Sequence, residues 1–394
     1  MKPLLRSTIS LLLCTAASTA SALDLKEAMA LAQQYDTTFQ AAYANYLAVS
    51  EASNQTTAAV LPQIGFDAYL QRGETETDRA GVVTESDNNA DGYSLSLSQV
   101  IFDKTAFDTL GQGDATVAKA VADLEVAKQD TIVRVSRAYF DVLTAIDTLE
   151  TATAERKAIG KQLEQSKERF NVGLSAITDV KEQQASYDVS VADEIIATND
   201  LSNKREALRF IINVYPENLK VADENMPLVI PEPMDIQAWV DKSLQNNFSI
   251  VSANYSVEAA ESAYGASKGG HYPTLRLNAS YGIDNIDDRD FSGIQTIPAY
   301  ESTDAKVMLN LNVPIYKGGL TSSTVRQKLS ELDAAKALQE QERRRTVGLS
   351  RSAYLSLEAD IANVKARKQA VISTETSLEA TLAGYDAGTR TSVD

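Results

Sequence analysis

The sequence predicts a mainly α-helical protein that carries a small transmembrane β-sheet and is built as two copies of one unit. Three observations lead there. Tyr139 to Asp179 (YFDVLTAIDTLE…RFNVGLSAITD) pairs with Tyr354 to Asp394 at a constant offset of 215, and Leu25 to Pro62 pairs with Ile236 to Pro273 at an offset of 211. Four short runs alternate apolar and polar residues with period two, the spacing of a strand with two unlike faces. Two stretches of about 66 residues, far beyond the length of ordinary globular helices, keep a helical pattern without a decisive break. A large internal duplication points to pseudo-symmetric architecture.

At the N-terminus, Lys2 and Arg6 precede an apolar run from Ile9 to Ala17, and Ala20-Ser21-Ala22 supplies a small-x-small cleavage pattern. Residues 1–22 are therefore expected to be a secretory signal, with the mature chain beginning near Leu23. The one cysteine, Cys14, lies inside it, and Leu13 stands where a lipoprotein would place a small residue. Without Lys2 and Arg6 the chain carries 35 basic against 54 acidic residues, a balance of −19 that argues against nucleic acid and against electrostatic attachment to anionic lipid. Outside the signal no run of 18 apolar residues exists, so no transmembrane helix is expected. An exported chain of this kind belongs to the periplasm or the outer membrane, and the strands decide between them.

Amphipathic helices are expected from Leu25 to about Ala59 and from Ile236 to about Ser267. Each stops before a proline, Pro62 or Pro273, which begins a strand where a missing N–H is tolerated. In the strands that follow, Ile64, Phe66, Ala68 and Leu70 alternate with polar or small neighbours, and Tyr93, Leu95 and Leu97 alternate with serines. The second copy alternates Leu275, Leu277, Ala279, Tyr281 and Ile283, then Val307, Leu309, Leu311, Val313 and Ile315. Each run approaches the roughly 9–11 residues of a tilted outer-membrane strand. The strands pair as hairpins across two long polar loops, 72–92 and 284–304. A soluble sheet with one wet face would share this pattern. Four strands cannot close a barrel, and lipid does not tolerate an open sheet edge. Transmembrane strands would therefore require several chains in one barrel.

Next come helices expected from about Thr105 to Phe170 and from about Leu320 to Tyr385, each roughly 100 Å long at 1.5 Å per residue. Tyr139, Val142, Ile146, Leu149, Leu163 and Phe170 keep heptad spacing, as do Tyr354, Leu357, Ile361, Val364, Val371, Leu378, Leu382 and Tyr385. Intervening Ala, Ser and Thr residues would admit neighbours on both sides. Periodicity alone also fits an ordinary coiled-coil hairpin. Gly173 and Gly388 end these helices, since glycine permits the left-handed conformation found there. Thr178 or Asp179 would cap the return helix, which reaches Val214. The expected organisation is thus a signal at 1–22, a first repeat at 23–214, a proline-marked linker at 215–235 and a second repeat at 236–394. The second repeat is expected to lack its return helix, as in a truncated chain.

The run RFNVGLSAITDV at Arg169 to Val180 resembles the TolC family of outer-membrane channel proteins, as does YDAGTRTSVD at Tyr385 to Asp394. So do LPQIG at Leu61, SQVIFD at Ser98, YFDVLTAID at Tyr139 and VPIYKGG at Val313. The resemblance covers essentially the whole mature chain. It implies a homotrimer in the outer membrane lipid, with four strands per chain in one 12-stranded barrel continuous with a periplasmic α-helical barrel. It implies partnership with a periplasmic membrane-fusion adaptor and an inner-membrane transporter of the RND, ABC or MFS type, exporting drugs, bile salts, siderophores or proteins. It also implies a periplasmic gate of Thr178, Asp179, Tyr385 and Arg390, with Asp394 as the pore-constriction carboxylate.

No catalytic, metal or cofactor site is expected. His271 is the sole histidine, and the acidic loop of Asp284, Asp287, Asp288 and Asp290 lacks the glycine and terminal glutamate of a calcium-binding EF-hand. No phosphate-cradling loop or nucleophile motif is present, so an enzyme is not expected. The alternative is a periplasmic coiled-coil adaptor or scaffold, which would have no use for four alternating strands.

Overall fold

Proline cannot donate to a continuing helix, and Pro62 and Pro273 each stand immediately before a strand. The computed structural model describes residues 22–221, 227–291, 295–387 and 389–390. Apart from Ala22, the expected signal peptide lies outside them. The first repeat runs α1 (Leu25–Tyr35), α2 (Thr37–Ala58), β1 (Gln63–Gln71), β2 (Glu74–Arg79), β3 (Val82–Asp87), β4 (Ala90–Phe102), α3 (Lys104–Asn171) and α4 (Ile177–Ile212). The second runs α5 (Ile236–Asn246), α6 (Phe248–Gly269), β5 (Thr274–Ile286), β6 (Arg289–Phe291), β7 (Gln295–Ile297), β8 (Tyr300–Asn312) and α7 (Leu320–Asp386).

Three expectations are corrected. Each N-terminal helix is two helices, broken at Asp36 and at Asn247, residues related by the 211 offset. Both side chains cap the following helix and so offer the backbone a way out of helical geometry. The polar loops contain short ladders, β2 with β3 and β6 with β7. β8 ends at Asn312 rather than at Ile315, because Pro314 has no N–H to extend a ladder.

The chain forms two compact units that cut across the repeat. One joins the described residues up to Ala41 with Ala127–Val229 and those from Val364 onward; the other joins Ala42–Val126 with Ile230–Asn363. In the first, the heptad positions Tyr139 and Val142 of α3 are buried with Ala28 and Ala32 of α1 and Leu201, Leu208 and Ile212 of α4. Tyr139 is fixed at both ends of its side chain: its ring lies in this cluster, and its hydroxyl donates to the carbonyls of Leu23 (3.0 Å) and Lys220 (2.7 Å). Those two segments also pair through Leu23 and Leu219.

In the second unit, small polar residues stitch the helices side by side. Ser53 of α2 donates to Asp114 of α3 (2.6 Å), Ser252 of α6 donates to Asp123 of α3 (2.5 Å), and Gln339 of α7 donates to Asn254 of α6 (2.8 Å). α3 thus has α2 and α6 as neighbours, joined through its Asp114 and Asp123. The sheet of this unit has strand order β1-β4-β5-β8, antiparallel throughout.

Candidate functional site

The register of the sheet puts each strand's apolar residues in common rows. Phe66 faces Leu95, Leu95 faces Tyr281 and Tyr281 faces Ala305; one row over, Ile64, Leu97, Ala279 and Val307 align. A one-residue slip in any strand would scatter this face. The face is uncovered in the single chain, with Ile64 at 73% and Val307 at 78% exposure. An apolar surface of this extent on a soluble protein would be an association liability; against hydrocarbon it is stable.

The opposite face is polar. Its rows read Gln63, Ser98, Asn278 and Met308, then Gly65, Ser96, Ser280 and Lys306, then Asp67, Ser94, Gly282 and Asp304. Its two cations are each matched: Lys306 lies 3.5 Å from Asp304, and Arg276 lies 3.4 Å from Asp103. No helix among the described residues is long and apolar enough to cross a membrane. The two-faced sheet is the element with the composition and strand length to do so. β1 and β8 each pair on one side within the chain, which leaves two open edges.

A separate candidate site is the turn after α3. Gly173 has φ +78, Leu174 N–H donates to the Arg169 carbonyl (2.8 Å) and Gly173 N–H donates to that of Phe170 (2.9 Å). This Schellman pairing satisfies carbonyls that the ending helix leaves free. In the second copy Thr389 N–H donates to the Gly384 carbonyl (2.9 Å), the same closure displaced by 215. Gly388 itself lies outside the described residues.

α4 begins at Ile177 with Ala176 in the cap position, so neither Thr178 nor Asp179 is the N-cap. Asp179 sits three residues in and accepts from the Ala176 N–H (3.3 Å), while the Thr178 hydroxyl donates to Asp179 Oδ1 (3.3 Å). Both are exposed, as is Arg390 beyond α7, and Tyr385 lies in the last turn of α7. Asp394 lies outside the described residues. Among the described residues, no group of three His, Cys, Asp or Glu side chains is placed to hold a metal ion.

The model of the outer membrane efflux protein family matches residues 28–214 and 239–394. The chain belongs to that family. It is 35% identical to the outer membrane protein TolC of Vibrio cholerae serotype O1 over 394 residues, covering all of this chain and 88% of that protein. It is 27% identical to the alkaline protease secretion protein AprF of Pseudomonas aeruginosa over 386 residues, covering 95% of this chain and 78% of that one. The solved CmeC outer membrane channel of Campylobacter jejuni superposes with a TM-score of 0.75 at 17% identity, covering 94% of this chain and 78% of CmeC, a likeness of fold. As a member of the outer membrane efflux family, the protein is an outer-membrane channel that extends into the periplasm. The family consists of channels rather than enzymes, and nothing favours the adaptor alternative.

Two features escaped the sequence reading. Val172 and Leu174 (78% exposed) project from the α3–α4 turn as an apolar tip, visible in the sequence only as large apolar residues flanking a helix-ending glycine. The other is the Asp36 corner. Its signal was the sequence Asp36-Thr37-Thr38, repeated in kind by Asn247-Phe248-Ser249.

Proposed function

We propose that three copies of the chain share one twelve-stranded barrel, with a periplasmic helical barrel below it, and that the turn regions form its gate. The observation that carries this is the pair of open edges, β1 and β8, flanking a sheet with an uncovered apolar face. Unpaired backbone in hydrocarbon costs several kcal/mol per group, so the edges must be paired by other copies.

In this reading Asp179, Thr178, Tyr385 and Arg390 hold the periplasmic entrance closed, and Asp394 supplies the carboxylate of the constriction. In the same reading Arg390, exposed beyond α7, takes its carboxylate partner across a subunit boundary. The apolar tip of Val172 and Leu174 suits a periplasmic adaptor carrying its own apolar helical end, coupled in turn to an inner-membrane pump. The similarity to AprF supports exported proteins among the cargo, alongside small molecules.

Purification from outer membranes with detergent, followed by native mass measurement and planar-bilayer recording, tests the reading. It expects a trimer that forms pores, with conductance raised by Arg390→Ser. A monomer, or a trimer without conductance, would remove it.

A further inference from the structure

β1 is the weak strand of the sheet. It has nine residues where β4, β5 and β8 have 13, and it is bonded on one side. Its lower end is pinned by Gln99, whose side-chain amide donates to the Val60 carbonyl at 2.8 Å. At the upper end, Tyr69 reaches over the whole width of β4, and its hydroxyl donates to Asp284 Oδ1 of β5 at 2.9 Å. Tyr69, Gly92 and Asp284 occupy one cross-strand row on the polar face. Gly92 is what makes the reach possible. A Cβ there would lie 2.9 Å from the Tyr69 ring and 2.6 Å from Asp284 Oδ1, so any side chain would occupy the path.

We propose that Tyr69 and Asp284 form a tie, passing through the gap at Gly92, that holds edge strand β1 in register to receive β8 of a second copy. This rests on the shared-barrel reading above. The duplication supplies the contrast. By the 211 offset, the counterpart of Tyr69 on β5 is Ser280, too short to cross a neighbouring strand. β5 is paired on both sides by β4 and β8 and has no need of a tie. The device occurs on the shorter of the two strands that must wait for a partner. It also links the two repeats, since Tyr69 comes from the first and Asp284 from the second.

The test uses the full chain, extracted as SDS-resistant trimers, with the rate of trimer dissociation at one fixed temperature as the readout. Tyr69→Phe deletes the donor and should speed dissociation about tenfold, the scale of one hydrogen bond to a charged acceptor. Asp284→Leu should do the same, and the double variant should be no faster than either single one. Asp284→Asn retains an acceptor oxygen but loses its charge, and should dissociate at a rate between those of the wild type and Asp284→Leu. In Tyr69→Phe, amide exchange should quicken in β1 and stay unchanged around Tyr139. Wild-type rates in Tyr69→Phe, or additive effects in the double variant, would overturn the tie. Absence of any wild-type trimer would instead remove the barrel reading on which the tie stands.

Discussion

Asp36 and Asn247 hold the same place in the two repeats and turn the chain in the same way, yet by different chemistry. Asp36 is fully buried at 0% exposure. Its carboxylate accepts from Arg134 Nη2 (2.5 Å) and from the N–H groups of Thr38 (3.1 Å) and Phe39 (3.3 Å). Arg134 is held in turn by Asp130 at 2.7 Å. Asn247 makes its corner with a neutral amide, accepting from the Ser249 N–H at 2.7 Å. By the 215 offset, Leu349 stands where Arg134 would be. One corner thus depends on a distant charge and the other is self-contained. Capping geometry is the common requirement, and the ion pair is what one repeat added to it.

The largest expected effect comes from removing the charge partner. Arg134→Leu strands a buried carboxylate and should destabilise the first unit by about 3 kcal/mol, measured as a shift in the denaturant midpoint of the helical signal. Converting the first corner to the chemistry of the second, Asp36→Asn with Arg134→Leu, should recover most of that loss. A double variant as unstable as Arg134→Leu alone would show that the two corners are not equivalent. Next in size is Asn247→Ala, which removes a cap and should cost about 1 kcal/mol by the same measurement.

Acid should separate the corners in a smaller but distinctive way. Burial pushes the Asp36 carboxyl up, but its hydrogen bond from Arg134 and those from the Thr38 and Phe39 amides outweigh burial and hold it below its ordinary 3.8. A lowered folded-state value means stabilisation that is complete above the unfolded value and lost as pH falls through the folded one. The first corner should therefore weaken below about pH 4 while the Asn247 corner does not respond. Equal acid sensitivity in the wild type and in the Asp36→Asn, Arg134→Leu variant would contradict this.

Much of the fold was legible because its signals are local and periodic. The alternation in Ile64–Leu70 and Leu275–Ile283 specifies which face of the sheet is apolar, and Pro62 and Pro273 mark where helix gives way to strand. The 68-residue α3 was readable from a helical pattern without a decisive break, with heptad spacing from Tyr139 to Phe170. The corner at Asp36 was not, because a capping aspartate between two amphipathic helices looks like one polar position on a longer helix. Nor were β2 and β3, whose sequences ETETDR and VVTESD offer little apolar face to betray a ladder. Of the candidate site, Gly173 and the strand-start prolines could be placed because their backbone roles are intrinsic to the residue. Asp179 could be placed on a helix start but not at its cap, since the position of Ala176 depends on how the preceding turn closes. The Tyr69–Asp284 tie joins residues 215 apart, and its key is the absent side chain of Gly92.

The sharpest test of the shared barrel is a cysteine walk along its two edges. The chain has no cysteine besides Cys14, so one cysteine can be moved along β1 and another along β8 without competition. Within a single chain these edges are separated by β4 and β5, roughly 14 Å across at about 4.8 Å per strand, too far for a disulfide. The account predicts that matched pairs lock the protein into covalent trimers in the outer membrane. Monomers at every pairing, with free thiols on both strands, would contradict it.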